Sequence, residues 1–280
     1  MKISVLKSKI ILVLLFSMIF PIHAAFSADL IFTAPPRESA QAGQKLYAPV
    51  AKYLSQLLNR KVTYKHPGNW FSYQNNMRKD KYDIIFDGPH FISWRVAHIN
   101  HEVLLKLPGE LKFMVVTNSS NAELNEGKDL IGKIFCGISP PNLSSLSFLA
   151  SFKNPVLQPK VKGIKGGMGK VFKAFSKNEC PAAVLRNTFY KKKLTDAQQQ
   201  NLKIIFNSQS LPNQAISVSS RLSRAEKDKM ATGLVTGKGA SSTNGIIKRF
   251  GGKKVQSFVT TTNEEYKNYN SYLEGVIFGW

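Results

Sequence analysis

Asp83-Ile84-Ile85-Phe86-Asp87-Gly88-Pro89-His90-Phe91 is the stretch on which the fold turns. An acid precedes three apolar residues; a second acid, a glycine, a proline and a histidine then follow in order. A short continuous apolar run ending at Gly-Pro predicts a buried strand of the parallel-sheet kind that stops at a turn. Pro89 suits the first position of a helix, where its missing N–H would lack a partner in any case. Asp87 and His90 are therefore expected where the carboxyl end of a strand meets a helix N-terminus, the place at which open α/β sheets bind ligands. Taken alone, the same residues also describe an ordinary strand-to-helix turn with a solvated acid.

Upstream, Leu30-Ile31-Phe32-Thr33 predicts a first strand, ending in the polar loop Arg37-Glu38-Ser39. A helix follows from Ala42, with Leu46, Val50, Leu54, Leu57 and Leu58 at helical spacing. Val62-Thr63-Tyr64 is a second strand and residues 70–78 a second helix. Downstream, a helix from Pro89 leads to strands over 103–107 and 112–117. The β-α-β-α-β order predicts an α/β fold with a largely parallel sheet. The polar run Asn118-Ser119-Ser120-Asn121 opens a second α/β unit with strands at 133–136, 161–164, 182–185 and 202–206. Residues 215–219 form one more strand, returning to the first unit. Two helices close the chain, with capping-box patterns at Ser223/Glu226 and Thr262/Glu265.

The start of the chain points to export. Lys2, Lys7 and Lys9 precede an apolar run over 10–20 and small residues at Ala24, Ala25 and Ala28, the pattern of a cleavable leader over residues 1–28. The 280-residue chain carries a formal charge of +22, near +19 without the three leader lysines. Such a charge raises nucleic acid, an anionic membrane surface or an acidic ligand. The lysines are spread, however, and the aromatic residues do not interleave with them, so no nucleic-acid partner is expected. Two cysteines in an oxidising compartment, Cys136 and Cys180, predict one disulfide, and neither has a His or Cys at metal spacing.

Catalytic patterns fail one by one. Gly166-Gly167-Met168-Gly169-Lys170 has the wrong glycine spacing for a phosphate loop, and Val171 stands where a magnesium-binding hydroxyl belongs. There is no Gly-x-Ser-x-Gly elbow and no His-Glu-x-x-His. No catalytic residue, cofactor or metal site is expected, and the chain does not read as an enzyme.

Four patterns carry a family resemblance: Tyr47-Ala48-Pro49-Val50-Ala51-Lys52-Tyr53-Leu54; Tyr82-Asp83-Ile84-Ile85-Phe86-Asp87-Gly88-Pro89; Asp129-Leu130-Ile131-Gly132-Lys133 with Cys136-Gly137; and Leu211-Pro212-Asn213-Gln214-Ala215-Ile216. Together, in this order, the chain resembles a divergent member of the periplasmic phosphate/phosphite/phosphonate-type solute-binding proteins of ABC importers. The resemblance implies a type II two-lobe periplasmic binding fold, each lobe a mixed or mostly parallel sheet flanked by helices. Lobe 1 would comprise residues 29–117 and 211–280, lobe 2 residues 118–210, with crossings near 113–118 and 207–219. It also implies a small-molecule ligand between the lobes, an ABC permease as partner, a periplasmic location and a monomeric chain.

Family members that bind phosphonates use a Ser-Thr-Ser-Gly stretch at a helix N-terminus. Leu143-Ser144-Ser145-Leu146 stands in that place, leaving Ser144 and Ser145 as candidate ligands. The resemblance also brings Arg37, Trp70 (or Phe71), Asp87, His90, Met168 and Arg186 to the cleft. Asp87 replaces a family aromatic. An acid on one wall, with hydroxyls or arginine opposite, suits a zwitterion better than a simple phosphonate, unless Arg37 pairs with Asp87. The ligand is thus expected to be small and polar, phosphonate-like or zwitterionic. A periplasmic sensing module for a membrane receptor would use the same cleft, and a cationic envelope-binding protein is a third class.

Overall fold

The computed structural model describes residues 28–252 and 254–274; the leader expected over 1–28 lies almost wholly outside them. In chain order the strands are β1 (Leu30–Thr33), β2 (Val62–Tyr64), β3 (Ile84–Asp87), β4 (Glu102–Lys106), β5 (Glu110–Leu111), β6 (Phe113–Asn118), β7 (Ile134–Gly137), β8 (Lys160–Gly163), β9 (Ala182–Arg186), β10 (Leu202–Asn207), β11 (Leu211–Pro212), β12 (Ala215–Val218) and β13 (Val259–Thr260). The helices are α1 (Ala40–Leu58), α2 (Trp70–Arg78), α3 (Pro89–Ile99), α4 (Leu143–Leu149), α5 (Met168–Ser176), α6 (Asn187–Lys193), α7 (Asp196–Gln200), α8 (Arg224–Gly233) and α9 (Gly237–Ile246).

Two mixed sheets result. The first runs β13-β4-β12-β3-β1-β2 and the second β10-β6-β9-β7-β8. β3 is central in the first sheet and buried at all four residues. It pairs parallel with β1 and antiparallel with β12, where Ala215 faces Asp87. A strand buried on both faces needs apolar residues at every position, which is why Ile84-Ile85-Phe86 does not alternate. One face of this sheet packs Phe32, Tyr47, Leu54, Phe86, Leu105 and Ile216 together. On the other face Ile85 joins Tyr73, Met77, Phe91 and Trp94.

Local signals set the helix ends. Ser39 caps α1, its Oγ accepting from the Ala42 N–H, and Asn59 ends that helix in the left-handed region at φ 48°. Gly88 is the N-cap of α3, Pro89 takes the first turn, and Asn100 terminates the helix. Ser223 and Glu226 form the expected capping box on α8. Thr262 and Glu265 do not: a short 3-10 turn, Asn263–Tyr266, stands there without a side-chain cap, and Glu265 pairs with Lys106 instead.

The passages between the sheets run through the ribbon β5–β11, in which Leu211 lies opposite Leu111 and Pro212 opposite Glu110. The first crossing is therefore earlier than residues 113–118. That segment, β6, is interior to the second sheet, antiparallel to both β9 and β10. An apolar Phe-Met-Val-Val run suits either sheet, so only its hydrogen-bonding partners assign it. Cys136 and Cys180 are bridged within the second unit, with Cα atoms 5.6 Å apart.

Candidate functional site

A cavity of about 230 Å³ opens between the two sheets. The first unit contributes Arg37 from the loop after β1, Trp70 from the start of α2, Asp87, Gly88 and His90 from the β3–α3 junction, and Arg249 and Phe250 from the turn after α9. The second unit contributes Phe113, Asn142, Leu143, Met168 and Arg186. Strand ends and helix starts converge here because the sequence stops both β3 and β9 at polar residues.

The chemistry of Asp87 is set by what lies behind the cavity wall. Arg95 Nη1–H donates to Asp87 Oδ2 at 2.9 Å, and both side chains are 1% exposed. The Tyr73 hydroxyl donates to the same oxygen and accepts from Arg95 Nη2–H. The Gly88 N–H donates to Asp87 Oδ1 at 2.7 Å. Burial pushes the Asp87 carboxyl above its usual range, opposed by the guanidiniums of Arg95 and Arg37 and by the Tyr73 hydroxyl. Both oxygens are committed, and the permanent cation beside them cancels the charge. The expectation that Asp87 would present a free acid to a cationic ligand group is therefore corrected: its partner is Arg95, not Arg37.

His90 is 4% exposed and reaches across the cleft, its Nε2–H donating to the Pro141 carbonyl at 3.0 Å. Burial drives its pKa down to about 3; the Pro141 bond works against that shift, and Arg37 and Arg95 add to it. The imidazole is neutral at neutral pH.

Positive charge on the cavity wall comes from three guanidiniums. Arg249 pairs with Glu38 at 3.2 Å and lies over the Phe250 ring, 4.9 Å from its centroid. Arg37 lies over the same ring at 5.0 Å. Arg37 and Arg186 have no ion pair among the described residues, and Arg37 Nε and Nη2 and Arg186 Nε are buried without a hydrogen-bond partner. Burial lowers the Arg186 pKa from its ordinary value, yet a guanidinium stays charged. Buried donors without acceptors are costly until something fills them. The remaining wall is largely apolar, with Trp70 stacked on Phe91 at an interplanar angle of 14°.

Of the residues predicted from sequence, Arg37, Trp70, Asp87, His90, Met168 and Arg186 line this cavity. Ser144 and Ser145 do not. Both are fully buried; Ser144 Oγ–H donates to Asn142 Oδ1 at 2.6 Å and Ser145 Oγ–H to the Ile138 carbonyl at 2.6 Å. Asn142 is the cap of α4, so the hydroxyls serve the turn rather than the cavity. Phe71 points away, 79% exposed. Sequence reasoning missed Arg95, Arg249 and Gln214. Arg95 left a signal, as the one residue of permanent charge in the run Phe91-Ile92-Ser93-Trp94-Arg95-Val96. Gln214 lies within the Leu211–Ile216 pattern of the family resemblance, whereas Arg249 left no signal, since its position depends on distant chain packing. Among the described residues no group of three or more His, Cys, Asp or Glu could hold a metal ion.

Comparison with known proteins bears on this geometry. Residues 32–266 match the family model described as "ABC transporter, phosphonate, periplasmic substrate-binding protein". The chain belongs to this family. It is the substrate-binding component of an ABC transporter, with the type II periplasmic binding fold. Among solved structures, it is similar to a binding protein component of an ABC phosphonate transporter from Pseudomonas aeruginosa, at 15% identity and TM-score 0.57, covering 86% of this chain and 83% of that one. It is similar to PhnD1 of Prochlorococcus marinus in complex with methylphosphonate, at 16% identity and TM-score 0.59, covering 87% and 96%. A Xanthomonas citri protein bound to ATP is similar at 10% identity and TM-score 0.66, covering 89% and 100%. At these identities the likeness shows the fold alone. No curated protein matches the sequence. The family acts in transport and in the periplasm, with a small-molecule ligand and an ABC permease as its partners.

Proposed function

We propose that this chain captures a small phosphonate-type oxyanion in the cavity between the two sheets and presents it to an ABC permease. One observation carries the reading: Arg37 and Arg186, one from each unit, line a compact cavity with unpartnered N–H groups, while the acid beside them is neutralised by Arg95. Guanidinium forks match tetrahedral oxyanions in geometry as well as charge. An oxyanion held by both units binds the closed arrangement more tightly than the open one, which is the differential affinity that drives closure. A small organic substituent on phosphorus fits the apolar walls of Trp70, Phe113 and Met168.

Calorimetry tests this with methylphosphonate. The chain binds it, and Arg186→Met weakens binding roughly 10- to 100-fold, the worth of a charge-assisted hydrogen bond. A wild-type chain that gives no binding signal with methylphosphonate overturns the reading. We further infer that the leader over residues 1–28 is removed on export and that the mature chain acts as a monomer. N-terminal sequencing and native mass spectrometry of the periplasmic protein check both.

A further inference from the structure

We propose that His90 reads a proton on the bound oxyanion, so that the cavity selects hydrogen phosphonates over sulfonates of the same size. The inference rests on the phosphonate reading above and adds what distinguishes that ligand from its closest isostere.

His90 Nε2 contacts the Pro141 carbonyl, and a carbonyl only accepts, so the ring proton is on Nε2. Nδ1 therefore carries a lone pair. It is buried and has no hydrogen-bond partner. Gly88 also lines the cavity, and a Cβ there would crowd the ring, 3.1 Å from Nδ1.

The groups around His90 keep Nδ1 an acceptor. Arg37 faces it from the loop after β1 and Arg95 from α3, and both favour the neutral ring. Among the described residues Asp87 is the one acid lining the cavity, and its two oxygens are engaged by Gly88, Arg95 and Tyr73. The Phe91 ring, 4.3 Å between centroids, covers one side, and the Pro141 carbonyl holds the other nitrogen. Only the Pro141 carbonyl favours an imidazolium, and burial together with the two guanidiniums outweighs it.

A lone pair beside a fully ionised oxyanion meets another lone pair, and a buried acceptor is left unpaired. A hydrogen phosphonate resolves this. Its charged oxygens take the Arg37 and Arg186 donors, and its P–OH donates to Nδ1. A sulfonate has the same tetrahedral shape and a single negative charge but carries no proton near neutral pH. The site then discriminates by the hydrogen bond the analogue cannot make.

Calorimetry on the full chain with methylphosphonate and methanesulfonate, from about pH 5 to about pH 9, tests the assignment. Methanesulfonate is expected to bind roughly 10- to 100-fold more weakly. Methylphosphonate affinity is expected to be flat at the acid end and to fall about tenfold per pH unit once the ligand's second ionisation is passed, the slope of one bound proton. His90→Phe brings the ratio of the two affinities close to one and removes the pH slope; a role in holding the units together would lower both affinities and leave the ratio unchanged. If that variant does not fold, the wild-type ratio and slope still decide. Equal binding of the two ligands by the wild type, or phosphonate affinity that rises through the second ionisation, overturns the inference while leaving the phosphonate reading intact. No binding of methylphosphonate overturns both.

Discussion

Asp87 and Arg95 exchange a charge where neither meets water, and the two side chains do not respond alike to losing the other. Removing one member of a buried pair typically costs about 3–5 kcal/mol, because the survivor is left uncompensated. Asp87→Asn strands Arg95, which cannot release its proton. Arg95→Met strands an acid whose pKa is already raised, and which can take one up. Both variants are expected to be destabilised at neutral pH in urea unfolding, but they separate on acidification. In Arg95→Met the folded state holds a proton that the unfolded state releases, so its deficit shrinks as pH falls through the raised pKa of Asp87. The Asp87→Asn deficit has no such recovery. At the same scale, Ser144→Ala is expected to change stability by about 1 kcal/mol through the lost turn contact to Asn142. It should leave methylphosphonate affinity in calorimetry unchanged.

Among the elements, α9 (Gly-Lys-Gly-Ala-Ser-Ser-Thr-Asn-Gly-Ile) is the one that propensity argues against. Its glycines are used for contact. A Cβ at Gly239 would lie 1.9 Å from the Gly233 carbonyl oxygen at the end of α8 and 2.8 Å from the Tyr53 ring of α1. The first of these neighbours is backbone and cannot rotate aside. Gly239→Ala is therefore expected to lower stability by roughly 1–3 kcal/mol despite the better helix propensity of alanine, measured by thermal or urea unfolding. A stabilised variant would mean that α8 and α9 can separate freely. In the second unit, the Cys136–Cys180 bridge spans 44 residues of sequence. A loop of that length predicts about 2–4 kcal/mol of stabilisation. Cys136→Ser with Cys180→Ser should show that loss in urea unfolding, in the region from β7 to β9.

Across the whole molecule, stability on the acid side depends on two histidines buried in neutral form. His90 is driven down to about 3 by burial, and His101 is lowered as well, burial again outweighing its bond to Asp80. In the unfolded chain each takes a proton near 6.5. A depressed histidine pKa means that the unfolded state binds more protons, so stability falls as pH drops below about 6.5 and levels off above it. The expected slope between about pH 6.5 and 5 approaches one proton from His90, before most carboxylates titrate, and His101 adds to it in the same direction. His101→Asn should make the pH dependence of the urea midpoint shallower, leaving the His90 part. A flat profile between pH 7 and 5 would mean that these rings are solvated or already charged. The same scale holds the link between the sheets: the β5–β11 ribbon carries both passages, and Tyr272 packs in the second core while its neighbour Leu273 packs in the first.

Much of this architecture was legible before any coordinates. The Asp83–Phe91 stretch reads as strand, turn and helix because burial on both faces of β3 and a proline in the first helical turn are local requirements that local residues meet. The α1 stripe, the Ser223 cap and the cysteine pair are legible for the same reason. Tertiary packing decided the rest. Phe113–Asn118 is apolar enough for either sheet, and its pairing with β9 and β10 chose the second. Ser144 and Ser145 have the chemistry of oxyanion ligands, but the turn at Asn142 claimed their protons. Asp87 looked like the charge that defines the ligand until Arg95, two helical turns further on, came back beneath it. A side chain's charge is written in the sequence; whether that charge is left over for a ligand depends on what the fold sets against it, through distances between residues that no local pattern encodes.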